Sequence, residues 1–491
     1  MPQPYTDVVP ARRSHLVSPA AGDALAASLA SLRAALDLPS DFTPEVLAEA
    51  EAAARDVSAD PKASGLDDLR EIEFLTIDPE GSRDLDQAMH FERTRSGAVL
   101  HYAIADVPAF VAPGGALDAE ARRRGQTLYT ADGRIPLHPP VLSEGAASLA
   151  PNVDRRAFVW RFELDDGARP ISTTLRRAIV RSRRQWSYAE AHAALGAGSA
   201  PASLQALEWF GPLRAERESE RGGASLNVPD TEIVAVNGRY RLERAIARPI
   251  EDWNAQVSLM TGMAAADIML AGGTGILRTM PAPDPADTAA FRARVAALGA
   301  PWVGDIDYGG YLRSIDREHP AAAAVLGAAA SLFRGASYAA FDGEPPTSTM
   351  QAAIGAPYAH TTAPLRRLVD RWSLVICEAL ANGQPVPAWV RESLPEVPKL
   401  MARSGQRASQ LEKGSIDRVE AAVLHGREGD EFAAVVLGAR GKGARVQLED
   451  PPVTATIETV EVEAGSAVTL RLDSADIATG AMAFTPVPSA G

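Results

Sequence analysis

The sequence contains a single cysteine, Cys377, and lacks an obvious export or membrane segment. One cysteine excludes an intrachain disulfide, which fits a reducing compartment but does not prove one. The N-terminal stretch MPQPYTDVVPARR has no apolar core of signal-peptide length. The longest nearly apolar run, residues 321–333, is too short to span a bilayer. We therefore expect a cytoplasmic, soluble protein without membrane association, in which Cys377 occupies a core position within LVICEAL.

Lysine is also scarce, since only four of the 49 basic residues are lysine. Nearly all positive charge is therefore carried by arginine, which binds phosphate in a bidentate manner and stacks on bases. A bias in the base composition of the genome, which the abundant alanine also suggests, is the simpler interpretation, and we favour it. The net charge of −14 argues against a protein that coats nucleic acid nonspecifically. It does not exclude an enzyme that combines a basic channel with an acidic metal site.

The length and the changes in pattern along the chain predict several domains. The 491 residues correspond to about three domains of ordinary size. We predict a short helical N-terminal unit, a mixed α/β (α+β) body, a proline-rich linker with one helix, and a small all-β barrel of OB type. These regions cover residues 1–40, 41–385, 386–416 and 417–491.

Alternating and helical periodicities predict the main elements. The α/β body should contain strands at 71–78, 99–107, 157–165 and 240–247, and helices at 44–56, 252–270, 285–298 and 365–380. Thr43 and Pro44 provide the capping hydroxyl and first-turn proline that favour a helix start. Five short stretches with Gly-containing turns predict the strands of the barrel, namely VEAAVL, FAAVVLG, ARVQLE, ATIETVEV and AVTLRLD.

The segment TIDPEGSRDLDQAM, residues 76–89, concentrates acidic side chains. Asp84 and Asp86 are two positions apart, so their carboxylates point the same way in an extended chain. A turn at Gly81 would bring Asp78 beside them. Three carboxylates at one place need a cation or raised pKa values, and all-oxygen ligands suit Mg²⁺ or Mn²⁺. From spacing alone, a solvated acidic turn is about as plausible as a metal site.

Several blocks, in chain order, resemble one protein family. After the acidic segment come HYAIADVPAFVAPGGALDAEARRRGQTLY, GRIPLHPPVLSEGAASLAPNVDRRAFVWRFELD, RSRRQWSYAEA, the RGGASL turn and YAHTTAPLRRLVD. Together they resemble the catalytic domain of the ribonuclease II/R (RNB) family over roughly residues 40–385. The preceding region is too short for the paired cold-shock barrels common in that family. A short helical unit should replace them, with a helix-turn-helix variant as one interpretation.

The resemblance implies a metal-dependent 3′→5′ exoribonuclease that hydrolyses single-stranded RNA to 5′-nucleoside monophosphates in RNA degradation or processing. It also implies that Asp78, Asp84 and Asp86 hold Mg²⁺, with Mn²⁺ as an alternative, and that Asp84 and Asp86 are catalytic. The family usually has a second aspartate directly after the position of Asp86, where this chain has Gln87. A glutamine oxygen still ligates magnesium but is neutral and longer. We therefore expect weaker binding of one ion, or a water-mediated contact.

The resemblance further implies roles for basic and aromatic residues. Arg366 would stabilise charge on the scissile phosphate. Arg367 would face about 100° away from it on a helix, so that one of the two would be structural and both are candidate RNA contacts. From the spacing of four residues alone, Asp370 would orient Arg366 or simply pair with it. Tyr129 would stack on bases near the 3′ end, and Tyr188, a candidate catalytic residue, would contact the terminal nucleotide next to the cleavage position.

The tail resembles the RNA-binding OB domain of the ribosomal-protein type that commonly ends this family. Its loop GARGKGARV supplies Arg440, Lys442 and Arg445, enough positive charge to guide an RNA strand. The usual stacking aromatics are nearly absent, because Phe432 and Phe484 are the only ones in the tail. A barrel that merely covers the mouth of the channel is therefore the alternative.

Three functions remain open on the sequence. A metal-dependent exoribonuclease comes first, because an RNA-binding module has no need of a preserved acid cluster. The second is an RNA-binding protein of the same fold with weak or lost nuclease activity. It is motivated by Gln87 and by the absence of an acid near Ala255 or Gln256, where the family has a glutamate that contacts a ribose 2′-hydroxyl. The third, a protein scaffold, would have no affinity for RNA at low salt. We expect a monomer, and the sequence identifies no protein partners.

Overall fold

The computed structural model describes residues 19–39, 41–130, 133–224, 230–236, 239–245, 248–315, 325–326, 328–329, 332, 334–440, 443–458 and 465–487. The helices in these ranges are α1 (Pro19–Ala35), α2 (Pro44–Asp56), α3 (Pro61–Ser64), α4 (Ala116–Arg124), α5 (Tyr188–Gly196), α6 (Ala202–Glu220), α7 (Pro249–Gly272), α8 (Pro285–Ala297), α9 (Tyr308–Ser314), α10 (Leu368–Ala381), α11 (Ala388–Ser393) and α12 (Val397–Leu424). Short 3-10 turns at Val107–Ala109 and Leu394–Glu396 and a π-helical turn at Val141–Ala146 accompany them.

The strands in the same ranges are β1 (Asp67–Asp68), β2 (Phe74–Asp78), β3 (Gln87–Thr94), β4 (Gly97–Ala105), β5 (Leu128–Thr130), β6 (Gly133–Ile135), β7 (Asp154–Leu164), β8 (Pro170–Ser187), β9 (Asp230–Val236), β10 (Arg239–Ala245), β11 (Thr274–Thr279), β12 (Ser337–Asp342), β13 (Met350–Gln351), β14 (Ala356–Pro357), β15 (Glu431–Arg440), β16 (Gly443–Leu448), β17 (Thr454–Glu458), β18 (Ala467–Asp476) and β19 (Ala481–Pro486).

The α/β body is built around a sheet that closes on itself. Its strand order is β1-β8-β2-β3-β4-β7, and β8 also pairs with β7. Closure depends on the length of β8, because residues 170–181 run antiparallel to β7 whereas residues 182–187 run parallel to β2. The parallel pairing places Asp78 opposite Ser187. The end of β2 therefore lies beside the start of α5.

Large aromatic side chains fill the core of this body. Trp160, Phe162, Tyr102 and Phe91 are almost fully buried and form one apolar cluster with residues of α6, α7 and α10. Burial of an apolar side chain as large as phenylalanine contributes roughly 1.5–3 kcal/mol. The packed sheet and helices form the scaffold from which the loops of the site project.

Among the described helices, only α7 is long and apolar enough to cross a membrane by length and composition. Val257, Met260 and Ala265 of this helix are buried in the same cluster as Trp160. Its apolar character is therefore explained by its position in the protein core.

The C-terminal barrel is joined to the first described helix. Its five strands form an antiparallel sheet in the order β17-β16-β15-β18-β19, and the edge strands β17 and β19 approach each other, so the sheet is nearly closed. Leu25 and Leu29 of α1 belong to the apolar core of this barrel. Ser28 Oγ donates a hydrogen bond to Ile477 O at 2.7 Å. Helix α1 thus packs on the barrel, 449 residues away in sequence. The rest of the predicted N-terminal unit, residues 1–18 and 40, lies outside the described part of the chain.

The predicted fold class, a mixed α/β body with a small C-terminal β barrel, is confirmed. Helix α2 begins where predicted, and the Thr43 side chain accepts a hydrogen bond from Val46 N. Strands β2, β4 and β7 and helices α7 and α8 coincide with their predicted segments. Strand β10 coincides with the described part of the predicted segment 240–247, whose last two residues lie outside the described ranges.

One predicted strand is wrong. The segment VEAAVL ends the long helix α12 and is not a strand, because Val419, Ala422 and Val423 lie at helical spacing against the barrel core. The fifth strand is β19, and α12 runs across the predicted boundary at residue 417. The predicted helix 365–380 begins only at Leu368, and Arg367 before it is extended, with φ −134° and ψ 124°.

Candidate active site

Seven of the residues singled out in the sequence line one cavity of about 390 Å³. It is bordered by the end of β2, the start of β3 and the β5–β6 hairpin. The start of α5 and the segment before α10 complete its border. The lining residues are Ile77, Asp78, Pro79, Ser82, Asp84, Asp86, Gln87, Tyr129, Arg134, Tyr188 and Arg366. The acidic segment thus lies at the same cavity as the two tyrosines and Arg366, which are distant from it in sequence.

The loop between β2 and β3, which carries the aspartates, is anchored by Ser148. Leu85 N donates to Ser148 Oγ at 3.0 Å, and Ser148 Oγ donates to Arg83 O at 2.7 Å. The loop turns at Gly81, whose φ of +81° lies in the left-handed region that favours glycine. The turn and the anchor together hold the carboxyl groups at the cavity.

Asp86 is deeply buried, with 4% of its surface exposed. Its Oδ1 accepts a hydrogen bond from Leu365 N at 2.7 Å, and its Oδ2 lies 3.4 Å from Arg366 Nε. Burial raises the pKa of Asp86 to about 8, although the charge of Arg366 and the N–H of Leu365 act in the opposite direction. A further positive charge in the cavity would favour the ionised carboxylate.

Asp78, at the end of β2, has a carboxyl oxygen that lacks a partner among the described residues. Its Oδ2 is buried and accepts no hydrogen bond. Burial raises the pKa of Asp78 to about 7; Arg366 lowers it and Asp84 raises it further. A buried carboxylate oxygen without a partner is costly unless a proton or a cation reaches it.

Asp84 is engaged by Arg134, a residue that the sequence analysis did not single out. Arg134 Nη1 donates to Asp84 Oδ1, and Arg134 Nη2 donates to Glu144 Oε1 at 2.6 Å. Arg134 lies on β6 directly opposite Tyr129 on β5, and cross-strand partners share one face of a hairpin. The only sequence signal was its place in the block GRIPLHPP, which did not distinguish it from a surface arginine.

Gln87 ties β3 to the segment that leads to α10. Its Nε2 donates a hydrogen bond to Thr362 O at 2.6 Å. An aspartate at this position would have no N–H group to donate. The neutral side chain therefore has a structural contact of its own while it lines the cavity.

The two consecutive arginines make different contacts. Arg366 is about half exposed and borders the cavity, and its carbonyl accepts from Thr127 N at 2.9 Å. Arg367 donates two hydrogen bonds to Asp370, of 2.9 and 2.8 Å. Asp370 also accepts from Ala363 N at 2.7 Å. The expected pairing of Asp370 with Arg366 is wrong, because the extended backbone before α10 turns Arg367 toward Asp370 instead.

The two tyrosines border the cavity in different ways. Tyr129, on the β5–β6 hairpin, is 56% exposed, which leaves its ring free to stack. Tyr188 opens α5, and its hydroxyl accepts a hydrogen bond from Asn254 Nδ2 at 3.1 Å. Ser187 and Glu190 form a capping box that fixes this helix start. Burial raises the pKa of Tyr188, so its hydroxyl stays neutral.

The oxygen donors that line the cavity are of the type that a hard divalent cation prefers. The described residues contain no group of three His, Cys, Asp or Glu side chains already arranged around one point. Asp78 nevertheless has a buried oxygen without a partner, and Asp86 has a carboxylate at the same cavity. Asp84, whose Oδ1 accepts from Arg134, contributes a third carboxylate to the same cavity, and such all-oxygen sets suit Mg²⁺ and Mn²⁺.

Two further cavities continue from the first along α12. One of about 300 Å³ shares Tyr129 and Arg366 with it and reaches Glu412. The next, of about 610 Å³, lies between α12 and the barrel and includes Glu412 and Arg445. Of the other predicted barrel contacts, Lys442 and the side chain of Arg440 lie outside the described part of the chain.

Comparison with known proteins finds two family matches. Residues 66–380 match the RNB domain, and residues 430–487 match the RNase II-type exonuclease C-terminal S1 domain. Ribonuclease R of Escherichia coli (strain K12) is 26% identical over 415 residues, which cover 79% of this chain and 50% of that protein. The human exosome complex exonuclease RRP44 is 28% identical over 238 residues, 45% of this chain and 24% of that protein. The chain thus spans a quarter to a half of the length of these relatives.

Solved structures show the same fold. RNase R of Mycoplasma genitalium, in complex with ribose methylated single-stranded RNA, matches with a TM-score of 0.85 at 18% identity, over 95% of this chain and 78% of that one. Yeast Ssd1, a pseudonuclease, matches with a TM-score of 0.68 at 16% identity, over 81% and 51% of the two chains. At these identities the likeness concerns the fold.

Proposed function

The chain belongs to the RNB family, and from this premise we propose that it hydrolyses single-stranded RNA in the 3′→5′ direction and releases 5′-nucleoside monophosphates. We further propose that it acts as a cytoplasmic monomer in RNA degradation or processing. The observation that carries the proposal is the convergence of Asp78, Asp84, Asp86 and Arg366 on one cavity. Carboxylates that hold divalent cations, beside an arginine that faces the phosphate, are the groups that metal-assisted cleavage of a phosphodiester uses.

The aspartates are the proposed ligands of Mg²⁺, with Mn²⁺ as the alternative and Gln87 as a weaker or water-mediated contact. When bound, such a cation makes a water nucleophilic and neutralises charge on the phosphate. The RNB nucleases as a group generally depend on divalent metals. The buried oxygen of Asp78 that lacks a described partner supports this assignment.

The remaining lining residues position the RNA. Arg366, held by Asp86, would face the scissile phosphate and stabilise the charge that develops on it. Tyr129 would stack on a base, and Tyr188 would bound the terminal nucleotide. The two cavities along α12 support a path for the strand from the barrel, where Arg445 lies, to the aspartates. Arg367, Arg440 and Lys442 remain proposed RNA contacts.

A second candidate is an RNA-binding protein with weak or lost nuclease activity. Two observations favour it: the acid usual in the family is replaced by Gln87, whose amide is committed to Thr362, and Asp84 is occupied by Arg134. The retained aspartates and Arg366 favour the nuclease.

A time course with 5′-labelled single-stranded RNA on a denaturing gel, with Mg²⁺, Mn²⁺ or EDTA, separates the two candidates. A ladder that shortens to a product of a few nucleotides, and that EDTA abolishes, is the result expected of the nuclease. Intact RNA in every lane, together with binding on a native gel, would reject hydrolysis and leave the binding protein. The absence of both would reject both candidates.

A further inference from the structure

Arg134 makes contacts that a structural arginine of the hairpin would not need. Its guanidinium is partly buried and bridges Asp84 and Glu144, with one terminal nitrogen directed at each carboxylate. Glu144 comes from the π-helical turn Val141–Ala146, on the other side of the bridge. The planar guanidinium thus faces two oxygen acceptors, an arrangement that also matches two oxygens of a phosphate.

A neighbouring arginine shows that the position of Arg134 is specific. Arg83 Nε lies 3.1 Å from Glu144 Oε2, so Glu144 has two arginine partners. The side chain of Arg83 is 73% exposed, and Arg83 is not among the residues that line the cavity. Arg134 alone of this pair combines a contact to Glu144 with a contact to one of the clustered aspartates.

The charges of the cavity show the electrostatic effect of the contact between Arg134 and Asp84. Its lining residues include three carboxyl groups, on Asp78, Asp84 and Asp86, and two guanidinium groups, on Arg134 and Arg366. A divalent cation would bring two more positive charges to the same space, and Arg134 already holds Oδ1 of Asp84, one of the two oxygens that could ligate the cation. Like charges at close range oppose each other, so the cation and the guanidinium compete for the carboxylate of Asp84.

We infer that Arg134 is an internal counter-ion that competes with the divalent cation for Asp84 and transfers to a phosphate of the RNA when substrate enters. The inference rests on the proposed nuclease function. Without RNA, Arg134 neutralises the acidic cavity and weakens metal binding. With RNA, the phosphate draws the guanidinium away and leaves Asp84 free for the cation. Binding of RNA and binding of metal would then favour each other, as reciprocal linkage requires.

The test compares three variants of the full chain, with Mn²⁺ alone as the metal probe, followed by electron paramagnetic resonance. Arg134→Gln removes the charge and should tighten Mn²⁺ binding roughly two- to fivefold, the effect of losing a competing ion pair of ordinary strength. Arg134→Lys keeps a cation for Asp84 but not the planar fork. It should leave the Mn²⁺ affinity close to that of the wild type. Arg83→Gln is the matched control and should also leave it unchanged.

The RNA side is measured in EDTA, where no metal-dependent cleavage occurs, as the anisotropy of a 5′-labelled single-stranded oligonucleotide. Both Arg134→Gln and Arg134→Lys should weaken RNA binding several-fold relative to Arg83→Gln. Equal RNA affinity in all three variants would overturn the phosphate contact. If Arg134→Gln does not fold, as judged by circular dichroism, Arg134→Lys alone decides this part.

The metal outcomes separate this inference from the proposed function. If the wild type binds Mn²⁺ and Arg134→Gln binds it no more tightly than Arg83→Gln does, the competition is overturned while the metal site stands. If neither the wild type nor any variant binds Mn²⁺, both the competition and the proposed metal-dependent cleavage are rejected.

Discussion

Asp86 links two parts of the cavity, because it binds the backbone at Leu365 through one oxygen and faces Arg366 with the other. Asp86→Asn keeps an oxygen that can accept from Leu365 N but removes the charge. We expect cleavage of single-stranded RNA to fall by roughly a hundredfold or more, while binding in EDTA is retained or tighter. Gel assays and anisotropy measure the two quantities. Asp305→Asn, an exposed carboxyl group before α9, is the control, and a wild-type cleavage rate in Asp86→Asn would contradict the assignment.

The raised pKa values predict how stability depends on pH without metal. The pKa of Asp86 rises from 3.8 to about 8 and that of Asp78 from 3.8 to about 7, both chiefly through burial. Protonation of these groups therefore favours the folded state. Their contribution is fully present below about pH 4 and is lost as the pH rises to about 8.

In EDTA, the melting temperature of the wild type should consequently fall more steeply from pH 5 to pH 9 than that of Asp86→Asn, which has one fewer such carboxyl. Mg²⁺ should restore most stability at the alkaline end, where the carboxylates are ionised. Parallel curves for the two proteins would contradict this origin of the pH dependence.

A substitution of Gln87 tests whether cleavage can be made less dependent on a high Mg²⁺ concentration. Gln87→Asp supplies the acid usual in the family and should lower the Mg²⁺ concentration needed for half-maximal cleavage. It also removes the donor to Thr362 O, so the free energy of unfolding should fall by about 1 kcal/mol. Metal titrations of the cleavage rate and urea denaturation measure the two effects. A clear loss of cleavage at every Mg²⁺ concentration would mean that the glutamine itself belongs to the working site.

The sequence predicted the candidate site unevenly, for physical reasons. Resemblance in motif order brought out the aspartates, the tyrosines and Arg366, and all of them line the cavity. It could not predict Arg134, because only the pairing of β5 with β6 turns this side chain toward Asp84. The helical spacing of four residues gave Asp370 the wrong partner, because the helix begins two residues after Arg366.

At the scale of elements, helix α1 supports the hairpin that carries Tyr129. Leu32 forms one apolar cluster with Leu128 and Ile135 of the hairpin strands and Leu411 of α12. The same side chain lies close to Gly414, where an added Cβ would come within 2.9 Å of it. The helix therefore contacts the barrel, α12 and the border of the cavity.

Leu32→Ala should lower the free energy of unfolding by about 2–3 kcal/mol, because it opens a cavity at this junction. It should also weaken RNA binding, because the hairpin loses its support. Urea denaturation and anisotropy in EDTA measure these effects. Leu47→Ala, on the exposed side of α2, is the control and should change neither. Unchanged RNA affinity in a destabilised Leu32→Ala would separate the hairpin from α1.

Local periodicity correctly predicted elements that bury one regular face. It failed where the same residues fit both the spacing of a strand and that of a helix. The segment VEAAVL alternates weakly as a strand does, yet its residues also have the spacing of a helix. Contact with the barrel core decides in favour of the helix. The five-stranded barrel was predicted, but its last strand, β19, is short and its sequence AMAFTP lacks an alternation of apolar and polar residues, so it gave little signal.

At the scale of the whole molecule, the charge predicts a weak dependence of RNA binding on salt. The protein carries a net charge of −14, and the cavities described along the proposed path include few arginines besides Arg134, Arg366 and Arg445. Each neutralised phosphate of a single strand contributes about −0.7 to the slope of log K against log salt. We expect a slope of roughly −2 to −3 from anisotropy titrations in EDTA. A slope several times steeper would reveal a larger basic surface.

The contact between Ser28 and Ile477 also has a consequence for the newly made chain. The two residues are 449 positions apart, so a ribosome that adds about 5–20 residues per second needs roughly 20–90 s to pass from one to the other. During that interval α1 has been synthesised, but the strands that receive its leucines have not. The apolar side of this helix is then open to chaperones or to other nascent chains, and α1 reaches its final contacts only after the barrel strands have been translated.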